Sequence, residues 1–391
     1  MIKIKDYYSE AQWQKFQQAA SGQDDTPFLL VDLSLIKHKF EEMVTYFPNA
    51  KIHYAMKANP GTPVIKLLRD LGSNFDCASI FELDRVFDCG VTPDRVSYGN
   101  TIKKAAHIKY AYDKGIRLYA TDSKADIQKI AENAPGSRVF VRILVEGSDT
   151  AEWPLSRKFG CHPDMAIDLL VNAKKLGLEP YGISFHVGSQ QKDIAVWDDA
   201  LSKVKYMFDW MKYEEDTTLK MINMGGGFPA NYISEVNPFK VYAEEIIRYL
   251  KDDHGDDLPE IILEPGRSLV ASSGVLISEV VLISRKSRTD LTRWVYTDVG
   301  LFQGLIETLG EAIKYPVYTP KMEHNSDQGT VILAGPTCDS TDIMYEQSGY
   351  KLPQNLSIGD KLYWLTTGAY TNSYSSVEFN GFPPLKTVYI D

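Results

Sequence analysis

Eight short apolar runs, each followed by a longer amphipathic stretch, dominate the first two thirds of this 391-residue chain. The runs are IHYAM (52–56), SNFDC (73–77), RVSYG (95–99), RLYAT (117–121), RVFVRIL (138–144), YGISFHV (181–187), LKMINM (219–224) and EIILE (260–264). Helical periods fill the gaps: residues 62–72, 124–136 and 164–177 repeat apolar positions near every 3.6 residues and stop at Gly. Strands that alternate with helices pair in parallel, because a parallel neighbour needs a long crossover connection. Eight such units predict a closed, TIM-like (β/α)₈ barrel. An open, doubly wound sheet is the architectural alternative, since it is built from the same alternation.

After residue 265 the texture changes. GVLISEVVLISR, RWVYTDVG, GTVILAGPT and DKLYWLTTGAYT are rich in Val, Ile, Thr and Tyr and lack helical periods. They predict a C-terminal, β-rich domain of sandwich or barrel-like form. PFLLVDL (27–33) precedes the first barrel helix and is expected to lend that domain a strand. The expected division is residues 1–32 as a strand-contributing segment, 33–265 as the barrel and 266–391 as the β domain.

Composition narrows the partners. The formal net charge of −10 argues against nucleic acid or an anionic membrane as the main partner. No apolar run approaches the ~20 residues of a spanning helix, and GVLISEVVLIS is interrupted by Glu279. The first ten residues carry charges throughout, unlike a signal peptide. Cys77, Cys89, Cys161 and Cys338 form no CxxC pair and no zinc-ligand spacing with histidine, so no metal site is expected. Free thiols in a chain of this length point to a reducing, cytoplasmic location.

Residues at the C-terminal ends of barrel strands converge on one face. Here they are Lys57, Asp76, Arg142, His186, Ser189, Gly225, Gly226, Gly227, Glu264, Pro265, Gly266 and Arg267. Taken singly, each has a bland reading. A lysine after a strand is usually solvated, GGGFP serves as a tight turn, and EPGR is an ordinary surface turn with an ion pair. Together, at strand ends, they suit a phosphate-bearing aldehyde cofactor, pyridoxal 5′-phosphate (PLP). A buried lysine loses its proton readily and reacts with a carbonyl. Glycine amides and an arginine suit a phosphate. A carboxylate suits a protonated pyridine nitrogen, and an imidazole stacks on a ring. GxxxxGK[ST] and a helix-opening GxGxxG are absent, which leaves nucleotide readings weak.

YAMKANP, FDCAS, SFHVGSQ, GGGFP, EPGR, GPTCDSTD and GAYTNSYSSVEFNGF, in that order, resemble the fold-type III PLP decarboxylases, and within them the ornithine decarboxylase group. The resemblance implies that Lys57 is the Schiff-base lysine, with Asp76 and Glu82 near it and Arg142 close to the ring. It implies a stacking role for His186, phosphate contacts from Ser189, the three glycines, Arg267 and Tyr370, and pyridine pairing by Glu264. It further implies that Cys338 protonates the substrate carbon and that Asp339 receives the distal ammonium. Phe379, in the FNGF segment, is expected in the substrate pocket. The family's Cys338 loop enters the partner's site, so a homodimer with shared sites is implied, with Lys158 and Asp342 paired across it. In one place the chain departs from the better-known enzymes: after DVG it lacks their Tyr-Asp pair, and Glu307 is the nearest acid by position.

The implied reaction is decarboxylation of L-ornithine to putrescine, with L-lysine to cadaverine as a second activity, since one methylene is worth only about 1–3 kcal/mol of discrimination. Carboxynorspermidine and diaminopimelate decarboxylases of the same fold are the enzymatic alternatives. Diaminopimelate would call for an extra arginine at the distal end, and an arginine decarboxylase is expected to be a longer chain. An inactive homologue that binds a regulator is the non-enzymatic alternative. A single-barrel PLP-homeostasis protein conflicts with the β-rich C-terminal part, and a racemase with the acid at position 264.

Overall fold

The computed structural model describes residues 2–146, 150–153, 158–324 and 327–391. Two compact units result, Lys37–Pro229 with Asn237–Ser268, and the residues up to Ile36 with Ala230–Val236 and Leu269–Asp391.

The first unit is a closed barrel. Its strands are β2 (Ala50–Ala55), β3 (Asn74–Cys77), β4 (Val96–Tyr98), β5 (Leu118–Thr121), β6 (Arg138–Arg142), β7 (Glu179–Ser184), β8 (Met221–Asn223) and β9 (Glu260–Leu263). All eight pair in parallel in chain order, and β9 returns to β2 with Ala50 opposite Ile261. The ring excludes the open-sheet alternative. Every expected run is a strand, although β6 and β7 stop at Arg142 and Ser184, short of the runs' ends at Leu144 and Val187.

Helices α2 (Leu33–Tyr46), α3 (Thr62–Asp70), α4 (Ile80–Asp88), α5 (Ala105–Asp113), α6 (Lys124–Asn133), α7 (Pro163–Lys175), α8 (Ala195–Tyr213) and α9 (Phe239–His254) punctuate the strands. Their ends follow local chemistry. Ser79 and Ser123 accept from the backbone N–H groups of Glu82 and Asp126, capping α4 and α6. Gly72 and Gly177, at φ of +90° and +78°, end the chain's run after α3 and α7. Strands covered on both faces read as continuous apolar runs, and β4 and β5 are buried at every position. Leu118, Ala120, Phe140, Tyr181, Met221 and Ile262 fill the interior as one cluster. Alternation along each strand then aims Arg142, Asn223 and Glu264 inward as well, one layer nearer the C-terminal face.

The second unit is organised around β10 (Gly274–Ser284). Its first half pairs antiparallel with β1 (Phe28–Asp32) and with β16 (Lys361–Leu365). A register shift between Val280 and Leu282 turns its second half to β11 (Arg293–Thr297). Beyond β11 lies β13 (Gln328–Ala334), parallel to it, and the outer strands are β12 (Val317–Tyr318), β14 (Ile343–Tyr345), β15 (Lys351–Pro353) and β17 (Lys386–Ile390), the last parallel to β1. Helix α1 (Glu10–Ser21) buries Trp13 and Phe16. The core is aromatic, with Tyr345 stacked on Tyr350 at 5.0 Å and 11°. Both hydroxyls are satisfied, donating to Ile313 O and Tyr315 O at 2.9 Å. Among the described residues, no helix is long and apolar enough to cross a membrane.

One ion pair lies wholly inside the barrel wall. Lys103, with a side chain 0% exposed, reaches Asp126 at 2.7 Å. Its other protons go to Asn100 O at 2.8 Å and Ala120 O at 2.7 Å. Removing one partner leaves a buried charge uncompensated, whereas replacing both does not. Lys129 also reaches Asp126, at 3.1 Å, and stays with it when Lys103 is lost, so the uncompensated case is Asp126→Leu, expected to cost about 3–5 kcal/mol, with the Lys103→Met, Asp126→Leu double variant recovering most of that. Urea unfolding of the three proteins checks it.

Candidate active site

The C-terminal ends of the barrel strands gather the expected residues in one unit. Lys57 lies in a 3₁₀ turn, Met56–Ala58, directly after β2. Tyr54, buried on β2, donates to Asn59 O at 2.9 Å and so fixes that turn. Ala55 N donates to Pro265 O at 3.1 Å, which ties the turn to the segment after β9.

Two strands around the ring, after β8, lies a glycine turn that admits no side chain. A Cβ on Gly225 would stand 2.4 Å from Phe185 O, on Gly226 2.6 Å from Glu264 O, and on Gly227 2.5 Å from Gly188 O. Gly225 and Gly227 also have φ of +62° and +101°, which other residues rarely adopt. Beside the turn, the buried guanidinium of Arg267 donates from Nε and Nη2 to Ser189 Oγ, both at 3.1 Å.

Asn223 joins the glycine turn to the acid. Its Oδ1 accepts from Gly225 N at 2.9 Å, and its Nδ2 donates to Glu264 Oε1 at 2.5 Å. Glu264 N in turn donates to Gly225 O at 2.7 Å. Sequence reasoning passed over Asn223. The available signal was an amide, with a strand's inward alternation, immediately before the glycines.

Charge is concentrated here. Burial, reinforced by the Glu264 carboxylate, pushes Asp76 well above the usual carboxylate range, and Lys57 pulls the other way. A Cβ on Gly99 would lie 1.8 Å from Asp76 Oδ1, so only glycine leaves room for that carboxylate. Burial also raises Glu82, although its Oε2 accepts from Ala78 N at 2.6 Å. His186 is driven well below the usual imidazole value by burial, and Arg142 and Lys57 add to the effect. Gly188 N donates to its Nδ1 at 3.2 Å, which suits a neutral ring protonated on Nε2. Arg142 stands over the Phe159 ring at 5.1 Å.

One expectation needs correction here. Lys57 is exposed in the chain by itself, not buried: the open face leaves the amine among Asp76, Glu82 and His186 rather than in an apolar pocket. Lys158 and Asp342, which the resemblance pairs across two copies, differ in their surroundings within one copy. Lys158 is exposed, 5.1 Å from the Phe159 ring centre. Asp342 is 2% exposed and spends its carboxylate within the sheet unit. It accepts from Leu301 N at 2.8 Å, Thr337 N at 3.1 Å and Thr337 Oγ1 at 2.7 Å.

The remaining candidates lie in the sheet unit. Cys338 is exposed, and its N–H donates to Asn380 Oδ1 at 2.9 Å. Asp339 is half-buried, and hydrogen bonds from Thr341 Oγ1 at 2.6 Å and Thr341 N at 2.9 Å hold its carboxyl below the usual range. Tyr370, at φ of +56°, stacks on Tyr374 at 5.8 Å. Phe379 packs on Phe302 at 4.5 Å. Glu307 is 3% exposed and accepts from Tyr315 Oη at 3.5 Å. That carboxylate therefore lies in the interior of its own unit. Among the described residues, no cluster of His, Cys, Asp and Glu has a metal site's geometry.

The family model for the pyridoxal-dependent decarboxylase, pyridoxal binding domain, matches residues 33–271. The ornithine decarboxylase of Schizosaccharomyces pombe is 33% identical over 377 residues, covering 94% of this chain and 84% of that protein. Antizyme inhibitor 2 of Xenopus laevis is 32% identical over 381 residues, 93% and 81% of the two. The structure of a Vibrio vulnificus lysine/ornithine decarboxylase complexed with putrescine superposes with a TM-score of 0.85 at 27% identity, covering 98% of this chain and 99% of that one. The arginine decarboxylase of Paramecium bursaria Chlorella virus gives 0.87 at 27%, with 97% and 100% covered. That enzyme is matched end to end, so length does not separate arginine decarboxylases from this chain. Matched in sequence across nearly its whole length and in structure through both units, this chain belongs to the pyridoxal-dependent decarboxylases.

Proposed function

We propose that this protein decarboxylates L-ornithine to putrescine, with L-lysine as a second substrate, and that the residues at the barrel's C-terminal face hold its PLP. The observation that carries the reading is the Asn223–Glu264 hydrogen bond at 2.5 Å beside the glycine turn. It supports an acid aimed at a ring nitrogen, with a phosphate cradle next to it.

The residues fit the cofactor. The glycine turn excludes any Cβ and leaves backbone amides to line the phosphate's place. Arg267 and Ser189 add donors to it. Glu264 keeps a pyridine nitrogen protonated, His186 presents a neutral ring for stacking, and Lys57 supplies the amine that tethers the aldehyde. When bound, PLP supplies an electron sink for the charge left at Cα as CO₂ departs. The chain's own task is then to deliver a proton to Cα, and Cys338 holds one on Sγ. Asp339, with its carboxyl held ionised by Thr341, suits the substrate's distal ammonium, whose burial without an acid would be costly.

Cys338 and Asp339 lie on the surface of the sheet unit, which supports their use by a second copy. The protein is then a homodimer in which each site takes its barrel from one subunit and its Cys338 loop from the other. The four free thiols support a reducing, cytoplasmic location.

Release of CO₂ from ornithine, lysine and carboxynorspermidine, measured side by side on PLP-loaded protein, tests the substrate. Ornithine is expected to lead, with lysine within about 10–200-fold in kcat/KM. Turnover of carboxynorspermidine alone would remove Asp339 from its role. Visible absorbance of lysine-bound cofactor without any CO₂ would favour a regulator-binding role of the kind that antizyme inhibitor 2 is named for. Mixing inactive Lys57→Ala and Cys338→Ala variants, refolded together, tests the shared site: about a quarter of the native activity should return, because half the dimers carry one intact site. Continued inactivity of a mixture shown to contain heterodimers would place both residues of a site in one subunit.

A further inference from the structure

Inside the barrel lies a histidine that this mechanism does not use. His53, on β2, is 5% exposed. Its Nδ1 stands 3.2 Å from Ser97 Oγ on β4, and Ser97 Oγ stands 3.3 Å from Asp76 Oδ1 on β3. Ser97 is buried too. Three strands thus contribute one link each to a chain of contacts that ends at the carboxyl beside Lys57.

We propose that His53, acting through Ser97, holds a proton on Asp76 and so keeps that carboxyl neutral beside the Lys57 amine. A serine hydroxyl has one hydrogen. If Ser97 gives it to His53 Nδ1, the shorter contact, then Ser97 can only accept from Asp76, and Asp76 must carry a proton. The surroundings favour that arrangement. Glu264, after β9, and Glu82, on α4, face Asp76 as like charges, while Lys57 and Arg142 face it as cations. Burial, with Lys51 adding to it, pushes His53 down to about 3, so the ring stays neutral and available as an acceptor. Asn74, opposite His53 in the strand register, adds no charge. A neutral Asp76 does not hold the lysine as an ammonium, and Lys57 needs an unprotonated amine to attack an aldehyde.

The inference rests on the proposed role of Lys57, but its test does not. In PLP-loaded, full-length protein with ¹⁵N-labelled histidine, His53 should show an unprotonated Nδ1 and a protonated Nε2. With ¹³C-labelled aspartate, infrared spectra at neutral pH should show a protonated carboxyl band that Asp76→Asn removes. His53→Phe, which keeps the bulk and loses the acceptor, should weaken that band and move its titration down by about one pH unit, with kcat reduced about tenfold. His53→Asn, which restores an acceptor, should recover both. A protonated Nδ1 on His53, or a carboxyl band indifferent to His53→Phe, would overturn the inference and leave the decarboxylase reading standing. Loss of CO₂ release in the native protein with the band intact would sink the decarboxylase reading alone.

Discussion

Closure of the barrel, β9 onto β2, is the constraint on which the site depends. Residues as far apart in sequence as Ala55 and Pro265 meet because the last strand returns to the first. A closed parallel barrel has one face where every strand ends, and its inward alternation fixes which side chains reach that face. Arg142, Asn223 and Glu264 are there by register, two residues beyond the apolar layer formed by Phe140, Met221 and Ile262. The same geometry leaves no space at the crossing points, and this is why three consecutive glycines occupy the turn after β8.

The charges at that face are balanced by arrangement more than by number. Asp76, Glu82 and Glu264 share a mouth with Lys57 and Arg142, while His186 is kept neutral by burial. Each carboxyl has a specific donor or neighbour: Ser97 for Asp76, Ala78 N for Glu82, Asn223 for Glu264. Unpaired, these groups would be costly in a half-buried cleft. Paired, they present fixed dipoles before any ligand arrives, which is the property a catalytic face needs.

The motifs of the sheet unit show why a residue type in a familiar string does not fix its use. CDSTD contains two aspartates three residues apart with opposite fates. Asp339 is half-buried, with its carboxylate on a local Thr341 turn, whereas Asp342 turns inward to three donors. Gly300 and Gly335 have no Cβ, and modelling one onto either would place it within 2.5 Å of the Asp342 carboxylate, so that pocket is built around the acid. Glu307 likewise follows Tyr315 into the unit's interior.

Periodicity alone specified the eight strands and the helices at 62–72, 124–136 and 164–177, because apolar periods and terminal glycines are local properties of the chain. The identities at the strand ends specified the cofactor's chemistry, because an amine, an imidazole, an acid and a glycine turn have few joint uses. Closure over an open sheet, the Asn223 grip on Glu264, the exposure of Lys57, the inward turns of Asp342 and Glu307, and the His53–Ser97–Asp76 contact were decided by tertiary structure. Each depends on which distant residue lies within about 3 Å, the reach of a hydrogen bond, and that distance is set by packing between strands that the sequence leaves far apart.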